Sequence, residues 1–574
     1  MNLKKFSLFL IIFLTQCKPE LERSPLSYFG LLAGSRTTNS TTTTTTTPTV
    51  TPETPTITNL RNNSIVNTGF LLGTASGTFS SIEVSLDNAA YSQATGTTSW
   101  TYKLPSGSST WKEFSKHTIS VRANNNGTFS TVTTINVIQG QNKDINGDGY
   151  PDLVIANQAG TPSVFIFYSS VNGITATSSN NANSTITGTG EFGTSIALGD
   201  INGDGYADLA IGAPVTTNGN VYIFHSTGAT GISSGTTANA FTNISGASAG
   251  NRFGQSVALG DVTNDGYSDL AVSATQFGGS TEGSIYLFHS TSNSSITATS
   301  ASSANITITG VGVNDRIGTN LCFGDFNGDE KLDLVVAAEN YSSNLGRVFI
   351  FHNSGSGLTS GTAAIASTTI TGSSNNKFGR AITAIDINGD GFTDLISGSE
   401  LSPADGNVRI FISPGSTGIT VNNPTLANTT IAGFTTSRLG RSLSSGDLNS
   451  DGFGDIIAGG DTYSSGGNFG IGIVAMSQGS TGITITSFAS ANKIFHETTA
   501  SQFGQTASVL DFNGDGYQDI VFTGGTNNSG LTNQGAAYLM KSSSTGIIAN
   551  SISEVTHKIT GGSANDLFGT YIQR

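Results

Sequence analysis

An aspartate-rich nonapeptide recurs seven times in this chain, and its spacing constrains the fold more than any other feature. The copies start at Asp144, Asp200, Asp261, Asp325, Asp386, Asp447 and Asp511, with steps of 56, 61, 64, 61, 61 and 64 residues. Periods of this size mark an array of structural repeats or a propeller. Eight residues before each start, from the second onward, stands an apolar-Gly pair: Phe192-Gly193, Phe253-Gly254, Ile317-Gly318, Phe378-Gly379, Leu439-Gly440 and Phe503-Gly504. A seventh pair, Phe568-Gly569, lies near the C-terminus with no loop after it.

Each repeat supplies about four strand signals. In the second they are Ser195 to Leu198, Asp208 to Ile211, Val221 to His225 and Phe241 to Ile244. The third recurs as Ile285 to His289, Val348 to His352, Val408 to Ile412 and Ala537 to Met540. Four strands in each of seven repeats predict an all-β chain whose residues 140–574 form a seven-bladed β-propeller. The first loop lacks an apolar-Gly strand before it, and the last such strand lacks a loop. Ring closure by the C-terminal strand is therefore expected, which removes open sheet edges.

Composition supports β-structure. Of 574 residues, 11% are charged, with 73 Gly and 12 Pro, against about 25% charged in ordinary globular proteins. Long Ser, Thr and Asn tracts disfavour helix and exclude a coiled coil. A net charge of −14 argues against nucleic-acid binding, which needs a basic stripe. Two cysteines exclude a disulfide scaffold and a cysteine-based zinc site.

The loops point to calcium. In Asp200-Ile201-Asn202-Gly203-Asp204-Gly205-Tyr206-Ala207-Asp208, side-chain oxygens fall at positions 1, 3, 5 and 9. Hard oxygen ligands at short spacing suit Ca²⁺ better than Mg²⁺, which keeps its waters. An EF-hand would need Glu at position 12 and flanking helices; Ile211 stands there instead, inside a strand pattern. One copy could be a metal-free Asp/Asn/Gly turn. Seven copies with three aspartates each use 21 of the 38 acidic residues, and metal-free loops would repel themselves. Seven Ca²⁺ would offset the whole formal charge.

The apolar-Gly pair, Asp-x-Asn-Gly-Asp-Gly-Tyr-x-Asp-Leu and the following Gly212-Ala213-Pro214 resemble FG-GAP repeats, which build the seven-bladed propeller of integrin α-subunits. The resemblance covers residues 144–574. It implies Ca²⁺ held by positions 1, 3, 5 and 9 and by the backbone carbonyl of position 7. Those are Asp144, Asn146, Asp148, Tyr150 and Asp152 in the first loop, and Asp200, Asn202, Asp204, Tyr206 and Asp208 in the second. The third has Asp261, Thr263, Asp265, Tyr267 and Asp269; the fourth Asp325, Asn327, Asp329, Lys331 and Asp333. The fifth has Asp386, Asn388, Asp390, Phe392 and Asp394; the sixth Asp447, Asn449, Asp451, Phe453 and Asp455. The seventh has Asp511, Asn513, Asp515, Tyr517 and Asp519. Thr263 is a shorter, neutral ligand. Glu330 replaces the position-6 glycine of the other loops, so either a non-glycine takes the turn or the turn changes. The Asp325 site is expected to be the weakest.

Upstream, Lys4 and Lys5 precede an apolar run, Phe6 to Leu14. Nine residues are too few to span a bilayer, which takes about 20, so 1–16 reads as a signal peptide. Leu14-Thr15-Gln16-Cys17 resembles the bacterial lipoprotein lipobox, which implies lipid on Cys17; Gln16 departs from the small residue usual there. Residues 17–56, with the run Thr41 to Thr47, read as an extended stalk. Within 57–139, period-two runs such as Ile82 to Leu86 and Thr118 to Val121 predict a β-sandwich. It resembles bacterial immunoglobulin-like modules. Trp100 and Trp111 are expected in its core, with His117 at the surface or a strand edge. Cys322 is expected to be a small core residue.

No catalytic residue is expected. His225, His289 and His352 share one repeat position, so they should sit on different blades. Two Gly-x-Ser-x-Gly matches, Gly231 to Gly235 and Gly246 to Gly250, lack the strand-turn-helix context of a nucleophile elbow. The expected function is that of a lipid-anchored, surface-exposed adhesin of the cell envelope, at the outer membrane. Its partner would be an extracellular protein or glycan, with membrane contact through the N-terminal lipid alone. The alternatives are a structural envelope protein and a propeller enzyme acting on polysaccharide.

Overall fold

Period-two burial builds the first part of the chain. In the strand Lys116–Asn125, residues His117, Ile119, Val121 and Ala123 are buried, and their neighbours face outward. The computed structural model describes residues 50–573, apart from 107, 109, 277–281, 292–294, 313–314, 356, 374–375, 401–404, 435, 466, 499–500, 527–530 and 556. Cys17, the signal segment and most of the expected stalk therefore lie outside the described residues. Among the described residues the strands form nine sheets. Two belong to a sandwich. One orders Thr56–Ile57, Phe70–Thr74, Ser99–Lys103 and Thr95–Gly96; the other centres on Thr133–Gln139, Lys116–Asn125 and Ser81–Leu86. Trp100, Leu71, Val84, Ile119 and Val137 fill the space between them.

The other seven sheets follow the repeat. The second is typical: Ser195–Gly199, Asp208–Ala213, Asn220–Phe224 and Thr242–Ser245, all antiparallel in sequence order. Its second strand is buried at every position, because neighbouring sheets cover both its faces. That is why this strand reads as a continuous apolar run, while the outer strand Thr242–Ser245 alternates. Phe192, Phe253, Phe378, Phe503 and Phe568 are fully buried, each adding roughly 2–3 kcal/mol of apolar burial.

The innermost strands succeed one another round a ring, from Ser195–Gly199 through Phe253–Gly260, Asn320–Gly324, Phe378–Ile385 and Ser442–Gly446 to Thr506–Leu510. Tyr571–Ile572 contacts both ends of that series. It pairs with Leu153–Asn157 in the register Ile155 to Ile572 and Ala156 to Tyr571, so the C-terminal strand supplies the innermost strand of the first sheet, as the repeat offset predicts. Gln573 is fully buried; its backbone N–H donates to the Val154 carbonyl at 3.1 Å and its amide to the Asp152 carbonyl at 2.6 Å.

Glycine permits close contact between sheets. Gly346 has φ +76°, and a Cβ there would lie 2.1 Å from the Phe378 carbonyl of the next apolar-Gly pair. Before each outer strand the chain also makes a single 3₁₀ turn, such as Ser179–Asn181, Thr237–Asn239 and Phe488–Ser490. The sequence reading did not anticipate these turns. Three expected positions are corrected or refined. His117 is buried, not exposed, because it stacks on Trp111 at 3.8 Å and bonds Asp87 Oδ2 at 2.7 Å. Trp100 and Trp111 are buried core aromatics. Cys322 is half-buried: it packs against the core between the fourth and fifth sheets, as expected, and also borders the central channel.

Candidate metal loops and the two ends of the ring

Six of the seven Asp loops join an innermost strand to the second strand of their sheet; the first follows the sandwich and leads into Leu153–Asn157, the second strand of the first sheet, so all seven sit at one end of the ring. Two left-handed residues shape each loop. Position 4 is Gly147, Gly203, Asn264, Gly328, Gly389, Ser450 or Gly514, with φ between +54° and +73°. Position 6 is glycine except for Glu330, which adopts φ +61°. The turn is therefore kept at the cost of strain. The Glu330 N–H reaches Asp325 Oδ2 at 2.8 Å, as the Gly205 N–H reaches Asp200 Oδ2 at 2.8 Å.

The position-9 aspartate spans two elements. Asp208 Oδ2 accepts from the Ile201 N–H at 3.1 Å, and Asp208 Oδ1 accepts from the Ser226 N–H at 2.9 Å. The same bond to Oδ1 recurs from Ser169, Ser290, Asn353, Ser413, Ser477 and Ser542, at 2.7–2.8 Å. Several of these side chains also bond the preceding loop. Asn353 Nδ2 donates to the Val262 carbonyl at 2.7 Å, and Ser413 Oγ to the Phe326 carbonyl at 2.6 Å. The sequence reading missed this Ser/Asn, although it stands immediately after the recurring His225, His289 and His352.

The loops also touch one another in series. Aromatic residues at position 7 lie over the position-4 glycine of the preceding loop: Tyr206 on Gly147, Tyr267 on Gly203, Phe392 on Gly328, Phe453 on Gly389 and Tyr150 on Gly514. Asn264 Nδ2 to the Glu330 carbonyl at 3.1 Å and Ser450 Oγ to the Gly516 carbonyl at 2.6 Å complete the circuit.

Among the described residues, no three His, Cys, Asp or Glu side chains already stand as a metal cluster. The loop carboxylates are turned onto N–H groups instead. Their chemistry nonetheless fits a hard divalent cation. Burial, then neighbouring loop carboxylates, pushes Asp200 and Asp511 up to about 7 and Asp152 and Asp519 well above the usual carboxylate range. Asp519 Oδ2 is buried with no hydrogen-bond partner. Crowded, buried carboxylates need either protons or a cation, and Ca²⁺ takes oxygen ligands of this kind. The residues that would hold it are the position-1, -3, -5 and -9 side chains and the position-7 carbonyls. In the second loop His225 Nδ1 also approaches Asp208 Oδ2 at 2.9 Å.

The three histidines follow the third strands of separate sheets and sit by the loops. His352 Nε2 lies 4.0 Å from Asp333 Oδ2. Gly235 is followed by a 3₁₀ turn, Thr237–Asn239. No helix among the described residues is long and apolar enough to cross a membrane.

The sandwich packs on the loop end. Asn59 Nδ2 donates to the Gly149 carbonyl at 3.0 Å, Ser64 Oγ to the Gly516 carbonyl at 3.0 Å, and Lys103 Nζ to the Asp204 carbonyl at 2.6 Å. Thr68 Oγ1 donates to Asp144 Oδ2 itself at 2.7 Å. Between sandwich and ring lies a cavity of about 800 Å³, walled by Val257, Leu321, Ile382, Leu443 and Val509. At its loop end, burial and then Asp261 and Asp269 push the Glu113 carboxyl up to about 8.

Comparison with known proteins accounts for this pattern. The FG-GAP repeat matches residues 144–173, 192–224, 253–288 and 503–540, and the FG-GAP-like repeat matches 325–397 and 386–458. The chain carries FG-GAP repeats. All seven Asp loops fall inside the matched residues, and with the closed ring of sheets they make an FG-GAP β-propeller. Integrin alpha-4 of Xenopus laevis is 36% identical over 104 residues, covering 17% of this chain and 10% of the integrin. Phosphatidylinositol-glycan-specific phospholipase D of Bos taurus is 30% identical over 158 residues, covering 26% of this chain and 18% of the phospholipase. The chain thus spans less than a fifth of the length of these relatives. Among solved structures, that of the Dos1 propeller shares 12% identity at a TM-score of 0.33, over 72% of this chain and 83% of its own.

Proposed function

We propose that this chain is a calcium-stabilised binding protein of the cell envelope, adhesin-like, held at the outer membrane by lipid on Cys17 and exposed at the cell surface. In this reading the ring is a seven-bladed propeller with up to seven Ca²⁺. The sandwich is an immunoglobulin-like spacer, and residues 17–56 are a stalk. The ligand is a protein or glycan outside the cell, and the protein has no catalytic centre.

One observation carries this reading: the Asp loops and the sandwich share one end of the ring. Thr68, Asn59 and Lys103 bond directly to loop atoms. The loops' chemistry is therefore spent on holding sheets and sandwich together, and the opposite end is left for a partner. Ca²⁺ here would cross-link sequence-distant carboxylates and carbonyls, which is a structural use of a metal. The integrin likeness favours recognition outside the cell. The phospholipase likeness covers 26% of this chain and 18% of that enzyme.

The test is binding of the chain from residue 17 onward to an array of matrix proteins and glycans, in calcium and in chelator. Saturable binding that disappears in chelator is expected. Absence of binding to any protein or glycan in calcium would overturn the reading.

A further inference from the structure

The end of the ring away from the Asp loops has its own chemistry. Arg380 and Arg441 directly follow apolar-Gly pairs, and Lys377 and Arg438 directly precede them. All four therefore stand where the innermost strands begin. Their partners are Glu339, Glu400 and Asp461. Arg380 Nη1 lies 3.0 Å from Glu339 Oε2, and Arg380 Nε lies 3.1 Å from Glu400 Oε2. Lys377 Nζ lies 3.5 Å from Glu400 Oε2, and Arg441 Nε lies 2.9 Å from Asp461 Oδ2. Arg438 pairs with both Glu400 and Asp461.

The arrangement is layered. The Glu400 and Asp461 side chains are 2% and 1% exposed, whereas the four cations are 19–26% exposed. A floor of buried carboxylates holds the cations, whose side chains stay partly exposed above it. Four cations over three carboxylates leave positive charge unbalanced, in a chain of net charge −14. Lys377 and Arg438 also have left-handed backbones, φ +54° and +51°. Glu191, Arg252, Arg316 and Leu567 share this conformation at the same repeat position, so it belongs to the repeat and fixes where these side chains leave the backbone.

An aromatic group adjoins this cluster through the same two elements. The turn before Arg438 carries Phe434, 45% exposed, and the strand Asp455–Ser465 carries both Asp461 and Tyr463. Thr462 Oγ1 donates to the Thr436 carbonyl at 2.7 Å, fixing strand to turn. Tyr463 stacks on His496 at 4.7 Å, and Phe434 lies 6.1 Å from Tyr463.

We propose that this junction of the fifth and sixth sheets is a binding site for an anionic polysaccharide. The guanidinium groups recognise its carboxylate or sulfate oxygens, and the Phe434–Tyr463 aromatic group packs on a sugar ring. Planar N–H forks suit such oxyanions, and pockets combine apolar surface with a few placed polar groups. The inference rests on the binding-protein reading and names its surface and ligand class. The sandwich covers the other end, which leaves this one accessible.

The test measures binding of the chain from residue 17 onward, in calcium, to polygalacturonate, chondroitin sulfate, dextran and polyglutamate. Binding to the first two is expected, weakened at least tenfold between 50 and 300 mM salt, with none to dextran. Preference between the two identifies carboxylate or sulfate as the recognised group. Arg438→Lys keeps a charge over Glu400 and loses the planar fork. Phe434→Ala and Tyr463→Ala lie outside the ion pairs, so folding should survive. Each of the three is expected to weaken binding about tenfold, measured well below the variant's own melting temperature so that the loss is not one of folding. Binding of polyglutamate as tight as that of the polysaccharides would overturn the sugar assignment in favour of an acidic peptide. Glycan or protein binding that these variants leave unchanged would overturn this site while leaving the binding-protein reading intact. No binding to any protein or glycan would overturn both.

Discussion

The hydroxyl of Ser477 donates to the carbonyl of Ile387 at 2.7 Å across a separation of 90 residues, from the sixth sheet to the loop of the fifth. The same residue's N–H donates to Asp455 Oδ1 at 2.8 Å. One serine thus ties its own Asp loop to the loop before it. Ser477→Ala leaves the Ile387 carbonyl without that partner and is expected to cost about 1–2 kcal/mol. A urea-unfolding midpoint equal to that of the unsubstituted protein would remove this bond from the account.

Closure of the ring is expected to depend on Gln573. Its side chain donates to the Asp152 carbonyl and accepts from the Val154 N–H, both buried. Gln573→Ala strands two backbone groups and is expected to cost about 2–4 kcal/mol. Deleting residues 571–574 goes further, exposing Leu153–Asn157 as an edge strand, and is expected to cause association. Size-exclusion chromatography of the deletion variant checks this; a monomer with unchanged stability would contradict it.

Calcium should invert the pH dependence of stability. Burial and neighbouring carboxylates raise Asp200, Asp394 and Asp511 to about 7, against about 4 in an unfolded chain. A raised folded value means that the protonated form favours the fold. That contribution is complete below about pH 4 and is lost as pH rises through about 7. In chelator, the protein is expected to melt lower at pH 8 than at pH 5.5. In saturating calcium the order should reverse, because ionised carboxylates bind the metal. Melting curves at both pH values, with and without calcium, decide the matter.

The fourth loop should load last. Glu330 holds a left-handed backbone that costs about 1–2 kcal/mol for a residue with a Cβ, and its side chain makes just a 3.6 Å pair with Lys112 at the surface. Glu330→Gly is expected to stabilise the protein by about 1 kcal/mol and to raise calcium affinity at Asp325. Crystals grown at limiting calcium would show Asp325 as the least occupied site; full occupancy there would contradict the expectation.

Much of this fold is legible in the sequence because its signals are periodic. Asp200 to Asp208 declares a loop, Phe192-Gly193 declares the strand start before it, and the unmatched Phe568-Gly569 declares closure. Features without a distinctive local signal were missed. A 3₁₀ turn such as Ser179–Asn181 is too short to show a helical pattern. Ser226 looks like any serine until Asp208 and Ile145 are seen to converge on it. His117 was misplaced because its partner Asp87 lies 30 residues away, in the turn after the strand Ser81–Leu86. The Glu400 cluster joins charges from three repeats, and no local pattern announces such a meeting.

Counting bound calcium tests the central claim most directly. The chain from residue 17 onward, equilibrated with calcium and freed of unbound ions, should retain close to seven Ca²⁺ per molecule by native mass spectrometry, with chelation lowering the melting temperature. A count near zero, with a melting temperature indifferent to chelator, would contradict the account.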